Sequence, residues 1–218
     1  SSLVAFKTGN KDITRHGVCI TGAHTDSPGL KIKPNPEVRR QGYLQLGVEV
    51  YGGALLQPWF DRDLSIAGRV HFQTSNGDLD SCLLDLQAPV AVIPSLAIHL
   101  DRTVNEGRPC NAQKELPPIL LQFSEPDAAS AFSFDRFLLE KIKADRKGQH
   151  AESVLSHELF LYDTQPPAMV GLDEQFIASA RLDNLLSCYL CCQALIDSDN
   201  NQGSVLVCND HEEVGSAS

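Results

Sequence analysis

The chain has 218 residues, 42% of them hydrophobic, and a formal net charge of −10, enough apolar material for one large domain or two modest ones. No apolar run approaches the roughly 18–20 residues of a membrane span, and the opening Ser1-Ser2-Leu3-Val4-Ala5-Phe6-Lys7 has no signal-peptide layout. A cytoplasmic protein without a membrane partner is expected, and the absence of a basic cluster argues against nucleic acid, since phosphate binding needs concentrated Lys and Arg.

In chain order, residues 3–6 and 18–23 read as two strands joined by the polar turn Thr8-Gly9-Asn10-Lys11. The second runs into His24-Thr25-Asp26-Ser27-Pro28. A metal-binding histidine commonly gives its second ring proton to a carboxylate, and Asp26 is placed to receive that of His24. After Pro28 the texture changes to short apolar runs, Tyr43 to Tyr51, Ala67 to Phe72 and Pro89 to Ile93, punctuated by Gly, Pro and Asn, which reads as a β-rich module. Within it, Gly52-Gly53 suggests a bulge or close backbone approach, and Trp59-Phe60 suggests core or interface packing. Asp61-Arg62-Asp63 reads as a charge-paired structural element rather than a metal site. His99, inside the run Ser95 to Leu100, fits a hydrogen-bonded core residue.

The segment Ser124 to Gln149 mixes Phe and Leu with charge at helical spacing, and 144–150 reads as a loop. A strand is expected from Leu155 to Thr164, and Gln165-Pro166-Pro167 marks a boundary. Beyond it, Leu182, Leu185, Leu186, Tyr189 and Leu190 fall on one face of a helix, with Asp183 off that stripe near its start. Ser204 to Cys208 reads as a buried strand, so Glu212 and Glu213 follow the C-terminal end of a strand, where open α/β sheets put their ligands. One of the pair suits metal ligation and the other general-base work on a metal-activated water. Taken singly, Glu212-Glu213 reads as a solvated loop, His24 as a structural histidine and Asp183 as a helix cap. Three such groups beside strand and helix ends favour a shared metal centre. The seven cysteines sit mostly in apolar runs, and Cys188/Cys191, although spaced CxxC, lies inside a helix and has no second CxxC to complete a zinc ribbon. Buried, reduced thiols are expected.

His24-Thr25-Asp26-Ser27-Pro28, Gly47-Val48-Glu49-Val50-Tyr51-Gly52-Gly53, Trp59-Phe60-Asp61-Arg62-Asp63-Leu64, Arg181-Leu182-Asp183-Asn184-Leu185 and Asp210-His211-Glu212-Glu213-Val214-Gly215-Ser216, in that order, resemble the M18 metallo-aminopeptidases. This is the aspartyl aminopeptidase family, and the likeness is greatest to its bacterial members. The resemblance implies an α/β fold, a zinc-peptidase-like catalytic domain (1–27 and 166–218) interrupted by a β-rich dimerisation domain (28–165). It implies a dinuclear zinc centre, with Mn2+ or Co2+ as substitutes, that removes acidic N-terminal residues from peptide substrates. On this likeness His24 is a ligand of one zinc, Asp183 the bridging carboxylate, Glu213 a ligand of the other zinc, Glu212 the general base and Asp26 the group that orients His24. His99 would touch substrate or metal across a subunit interface in a homo-oligomer. Members of the family carry a helical segment ahead of the matching region, and a further Asp and a His ligand after it. The chain is therefore expected to be an internal fragment, about the middle half of such an enzyme, and inactive alone, since two zinc ions want about four ligands each. Two other readings stay open, a non-enzymatic oligomerisation fragment and a dinuclear-zinc carboxypeptidase or amide deacylase of the same broad fold.

Overall fold

A computed structural model describes residues 1–123, 132–144, 147–199 and 201–215. Part of the expected helical segment (124–131), two positions of the 144–150 loop (145 and 146) and Ser216 of the last motif lie outside the described residues. The fold is mixed α/β and mostly sheet. In chain order, β1 (Leu3–Lys7), α1 (Ile13–His16) and β2 (Val18–His24) open the molecule. Then come β3 (Gly29–Arg40), β4 (Tyr43–Tyr51), β5 (Leu64–Thr74), β6 (Leu79–Asp85), α2 (Ala112–Glu115), β7 (Ile119–Gln122), α3 (Phe134–Lys143) and β8 (Ala151–Asp163). The chain closes with β9 (Ala168–Val170), β10 (Phe176–Ala178), α4 (Leu182–Asp197), β11 (Gly203–Asn209) and a 3-10 turn, Glu212–Val214. Two compact units result: Ser1–Pro28 with Pro166–Ser218, and Gly29–Gln165.

The Gly29–Gln165 unit is an antiparallel sheet in the order β6-β5-β8-β3-β4-β7. Gln41 and Gly42, both in the left-handed region at φ 51 and 78, turn β3 tightly into β4 with Arg40 opposite Tyr43. β5 and β8 approach so closely at Gly68 that a Cβ there would lie 2.0 Å from the Glu158 carbonyl. Leu30, Ile32, Ile66, Val70 and Phe72 bury one sheet face under α3, which contributes Phe134, Leu138 and Ile142 at the i, i+4 and i+8 spacing of one helix stripe. Ser133 caps α3, its Oγ accepting the Arg136 N–H at 3.3 Å. Replacing that cap by alanine (Ser133→Ala) is expected to cost about 1 kcal/mol, read from chemical denaturation of the unit.

Several local expectations change. Pro89 to Ile93 makes only isolated bridges to its neighbours, whereas β3, whose lysines, prolines and arginines obscure its pattern, is a long strand. Gly52 takes φ 68 at a bend, and nothing approaches Gly53, which therefore marks no close contact. Arg62 pairs not with its neighbours but with Asp163 at 3.1 Å, while Asp61 holds Ser95 through its N–H at 2.9 Å and its hydroxyl. Trp59 and Phe60 are half-buried and pack on the core. His99 is no core residue: it is exposed, in a turn beside Leu96, Ile98 and Leu100, which are 63%, 55% and 67% exposed.

In the other unit the sheet order is β1-β11-β2. The two expected strands are therefore not neighbours: β11 lies between them, antiparallel to β1 and parallel to β2. Helix α1 follows the expected polar turn, its start capped by the Asp12 carboxylate, which accepts the Thr14 N–H at 3.0 Å. Helix α4 packs on β2 and β11, but not through its leucine stripe. Leu185, Leu186, Tyr189 and Leu190 stay 43–64% exposed, while Asn184, Ser187, Cys188, Cys191 and Leu195 make up the half-buried face. Small side chains there let the helix lie close to the strands, which a leucine face would prevent. The thiols also divide: Cys82 and Cys208 are buried, whereas Cys19 and Cys192 are exposed, and all seven are free. Burial, with the neighbouring Cys188 thiol, pushes the Cys208 thiol up to about 11. Among the described residues no helix is long and apolar enough to cross a membrane.

Candidate metal centre

β2 and β11 run parallel with His24 opposite Asn209, so both chains leave the sheet together, and the 3-10 turn Glu212–Val214 follows a few residues later. The turn is held by Asp26. Its carboxylate, on a side chain only 7% exposed, accepts the Glu212 N–H on one oxygen at 3.2 Å and the Glu213 N–H on the other at 3.0 Å. Two amides bound to one carboxylate fix the backbone from which both glutamates project.

The His24 imidazole is oriented by the Asp26 main chain. Its Nδ1 lies 3.1 Å from the Asp26 carbonyl oxygen and 3.5 Å from the carboxylate. A carbonyl can only accept, so Nδ1 carries a proton, and in the neutral ring Nε2 holds the lone pair. That lone pair faces Asp183 Oδ1 at 3.4 Å and Glu212 Oε2 at 3.8 Å. The Asp26 carboxylate thus meets both the ring, at 3.5 Å, and the glutamate turn, and the carbonyl of the same residue accepts the ring's hydrogen bond.

His24, Glu212 and Glu213 each offer a donor atom within 4.8 Å of the others, among the described residues the one grouping of that kind. Asp183 lies outside this triplet and meets it through His24. Its side chain is exposed, and its residue is not helical, with ψ 108 after Arg181 at φ 61; the Asp183-Asn184 peptide is cis. Ser27 donates to the Asp183 carbonyl at 3.1 Å. His99 belongs to the Gly29–Gln165 unit.

The electrostatics match crowded negative charge. Burial disfavours the His24 imidazolium, but the Asp26 carbonyl and the carboxylates of Glu212, Asp26 and Asp183 outweigh it and hold the ring above its ordinary value. Glu213 is held above the usual carboxylate range, first by burial, against the pull of His24, and then by Glu212, Asp26 and Asp183. A cation among these groups would reverse both shifts. One neutral imidazole nitrogen with several carboxylate oxygens is a donor set that suits zinc. Asn184, singled out in the sequence only within the Arg181–Leu185 motif, and Cys188, singled out only as a CxxC thiol, hold the main chain of His24, with the Asn184 side chain accepting its N–H at 3.1 Å and the Cys188 thiol donating to its carbonyl at 3.1 Å. The sequence signal for this role is their i, i+4 spacing beside Asp183.

Residues 1–218 match the family described as aminopeptidase I zinc metalloprotease (M18). The chain is 56% identical over 218 residues to the "Probable M18 family aminopeptidase 2" of Ectopseudomonas mendocina, covering 100% of this chain and 50% of that protein. It thus spans about half the length of the curated relatives it matches. Among solved structures, a chain of the Ape4 and Nbr1 complex superposes with a TM-score of 0.86 at 35% identity, covering 100% of this chain and 45% of that one. A chain of the S. cerevisiae mApe1 dodecamer does so at 0.76 and 28% identity, covering 100% and 49%. A family match along the whole chain, on a mixed α/β fold shared with these structures, shows that the chain belongs to the M18 family of zinc metallo-aminopeptidases.

Proposed function

We propose that the protein carrying this chain is a zinc-dependent aminopeptidase that removes N-terminal residues, acidic ones by preference, from peptides. The observation that carries this reading is the convergence of His24, Glu212 and Glu213 within 4.8 Å, with Asp183 against the free nitrogen of His24. His24 Nε2, Asp183 and Glu213 would hold zinc, Asp183 as the bridge of a dinuclear centre; Mn2+ or Co2+ would suit the same oxygen-rich donors. Zinc, when bound, supplies Lewis acidity that acidifies water and polarises the scissile carbonyl. Glu212, whose side chain is 59% exposed, is open to solvent and acts as general base, taking the proton of the attacking water on its carboxylate and passing it to the leaving amine. Asp26 keeps that carboxylate in place through the Glu212 N–H. Two zinc ions take about eight donors in all, more than these side chains offer, so the 218 residues by themselves are inactive on this reading.

A panel of short peptides tests the activity. The complete protein, loaded with zinc, is expected to release Asp and Glu from free N-termini faster than Leu or Ala, and to release nothing from the acetylated peptides. Turnover of acetylated substrates would instead indicate an amide deacylase or carboxypeptidase.

The Gly29–Gln165 unit serves as the oligomerisation module, and the protein works in the cytoplasm, in keeping with its free cysteines. Supporting this are the exposed apolar turn around His99 and the dodecameric state named for the S. cerevisiae relative. In such an assembly His99 would reach substrate at a neighbour's site. Sedimentation of the isolated unit is expected to show self-association; a folded, strictly monomeric unit would remove the reason to place His99 there.

A further inference from the structure

His24 occupies the last position of β2, an edge strand among the described residues. The Thr25 N–H turns inward to the Asn209 carbonyl of β11 at 2.7 Å. Because amides alternate along a strand, both main-chain groups of His24 point the other way, away from β11. Left there half-buried and unpaired, they would cost free energy and leave the end of β2 free to fray. Helix α4 closes this gap with side chains: Asn184 Oδ1 accepts the His24 N–H, and Cys188 Sγ donates to the His24 carbonyl. Asn184 is itself held, its Nδ2 donating to Ser187 Oγ at 3.1 Å.

We propose that Asn184 and Cys188 are positioning residues that grip the His24 peptide on both sides and so set its imidazole against Asp183. This rests on the reading of His24 and Asp183 as zinc ligands. Asn184 directly follows Asp183, so the residue that presents the carboxylate and the residue that grips the histidine are one peptide apart. The spacing of His24 Nε2 to Asp183 Oδ1, 3.4 Å, is thereby set by the start of α4 as well as by the sheet. An outer contact of this kind commonly changes metal affinity by about 10–100-fold when removed.

The test uses the complete protein and measures its zinc dissociation constant by competition with a chromophoric chelator, alongside the melting temperature of the metal-free form. His24→Ala is the reference and should abolish binding at this site. Cys188→Ala, which removes the donor with little change in volume, and Asn184→Leu, which removes the acceptor, should each weaken zinc by about 10–100-fold. Cys188→Ser, which keeps a donor at the same position, should restore affinity close to that of the parent. Should Asn184→Leu fail to fold, the two Cys188 variants still decide the matter. Parent-like affinity in Cys188→Ala, or equal loss in Cys188→Ala and Cys188→Ser, would overturn the positioning role while His24→Ala upholds the metal site. If His24→Ala binds zinc as the parent does, the metal-centre reading itself has failed.

Discussion

Glu212→Gln in the complete protein is expected to lower turnover by about 10²–10⁴-fold while zinc content stays near that of the parent. The amide keeps the shape of the side chain but cannot take a proton at neutral pH. Its backbone N–H still binds Asp26, so the turn that carries Glu213 is undisturbed. Glu213→Gln should behave differently, losing bound zinc before any separate effect on the chemical step appears. Metal analysis beside kcat separates the two, and exchanged phenotypes would reverse the assignment. The comparison is demanding because both side chains lie in the same triplet as His24, so proximity alone does not say which is ligand and which is base.

Asp26→Ala is the second large effect. It removes the acceptor for two amides and leaves the Glu212–Val214 turn without its anchor, so zinc affinity should fall by about 10–100-fold and turnover with it. The contact between the His24 ring and the Asp26 carbonyl survives, since alanine keeps the main chain. Asp26→Asn should be intermediate, because its oxygen accepts one amide while its NH2 group cannot accept the other. A crystal structure of the alanine variant with the glutamates unmoved and the imidazole rotated would show that the carboxylate acts on the ring after all.

What could be read in the sequence was whatever declares itself locally. Tyr43–Tyr51 alternates apolar and polar residues and is a strand over that span. His24 and the Glu212-Glu213 pair follow short apolar strands, and the structure brings them together. The face of α4 was not legible, because its sequence carries two stripes at helical spacing and hydrophobicity points to the leucines, whereas close approach to the sheet selects the smaller Ser187, Cys188 and Cys191. Nor was the bond of Asp26 to the glutamate turn, since it joins a side chain to amides 186 and 187 positions away. His99 looked like a core residue by its apolar neighbours, but those neighbours are themselves exposed.

The grip of Asn184 on His24 has a kinetic consequence, for it joins residues 160 positions apart in the chain. Closing so long a loop through unfolded polypeptide is slow and entropically costly, and high sequence separation is what retards folding. The intervening unit shortens the path once it has formed its own sheet, because Leu30 near its start pairs with Leu161 near its end. Its two ends then emerge side by side, and β2 and α4 are delivered to one another as if joined by a short link. On the proposed metal-centre reading, assembly of the centre is expected to follow formation of the sheet inserted between its halves, so that a lesion deep in that sheet would slow the acquisition of zinc without touching a ligand.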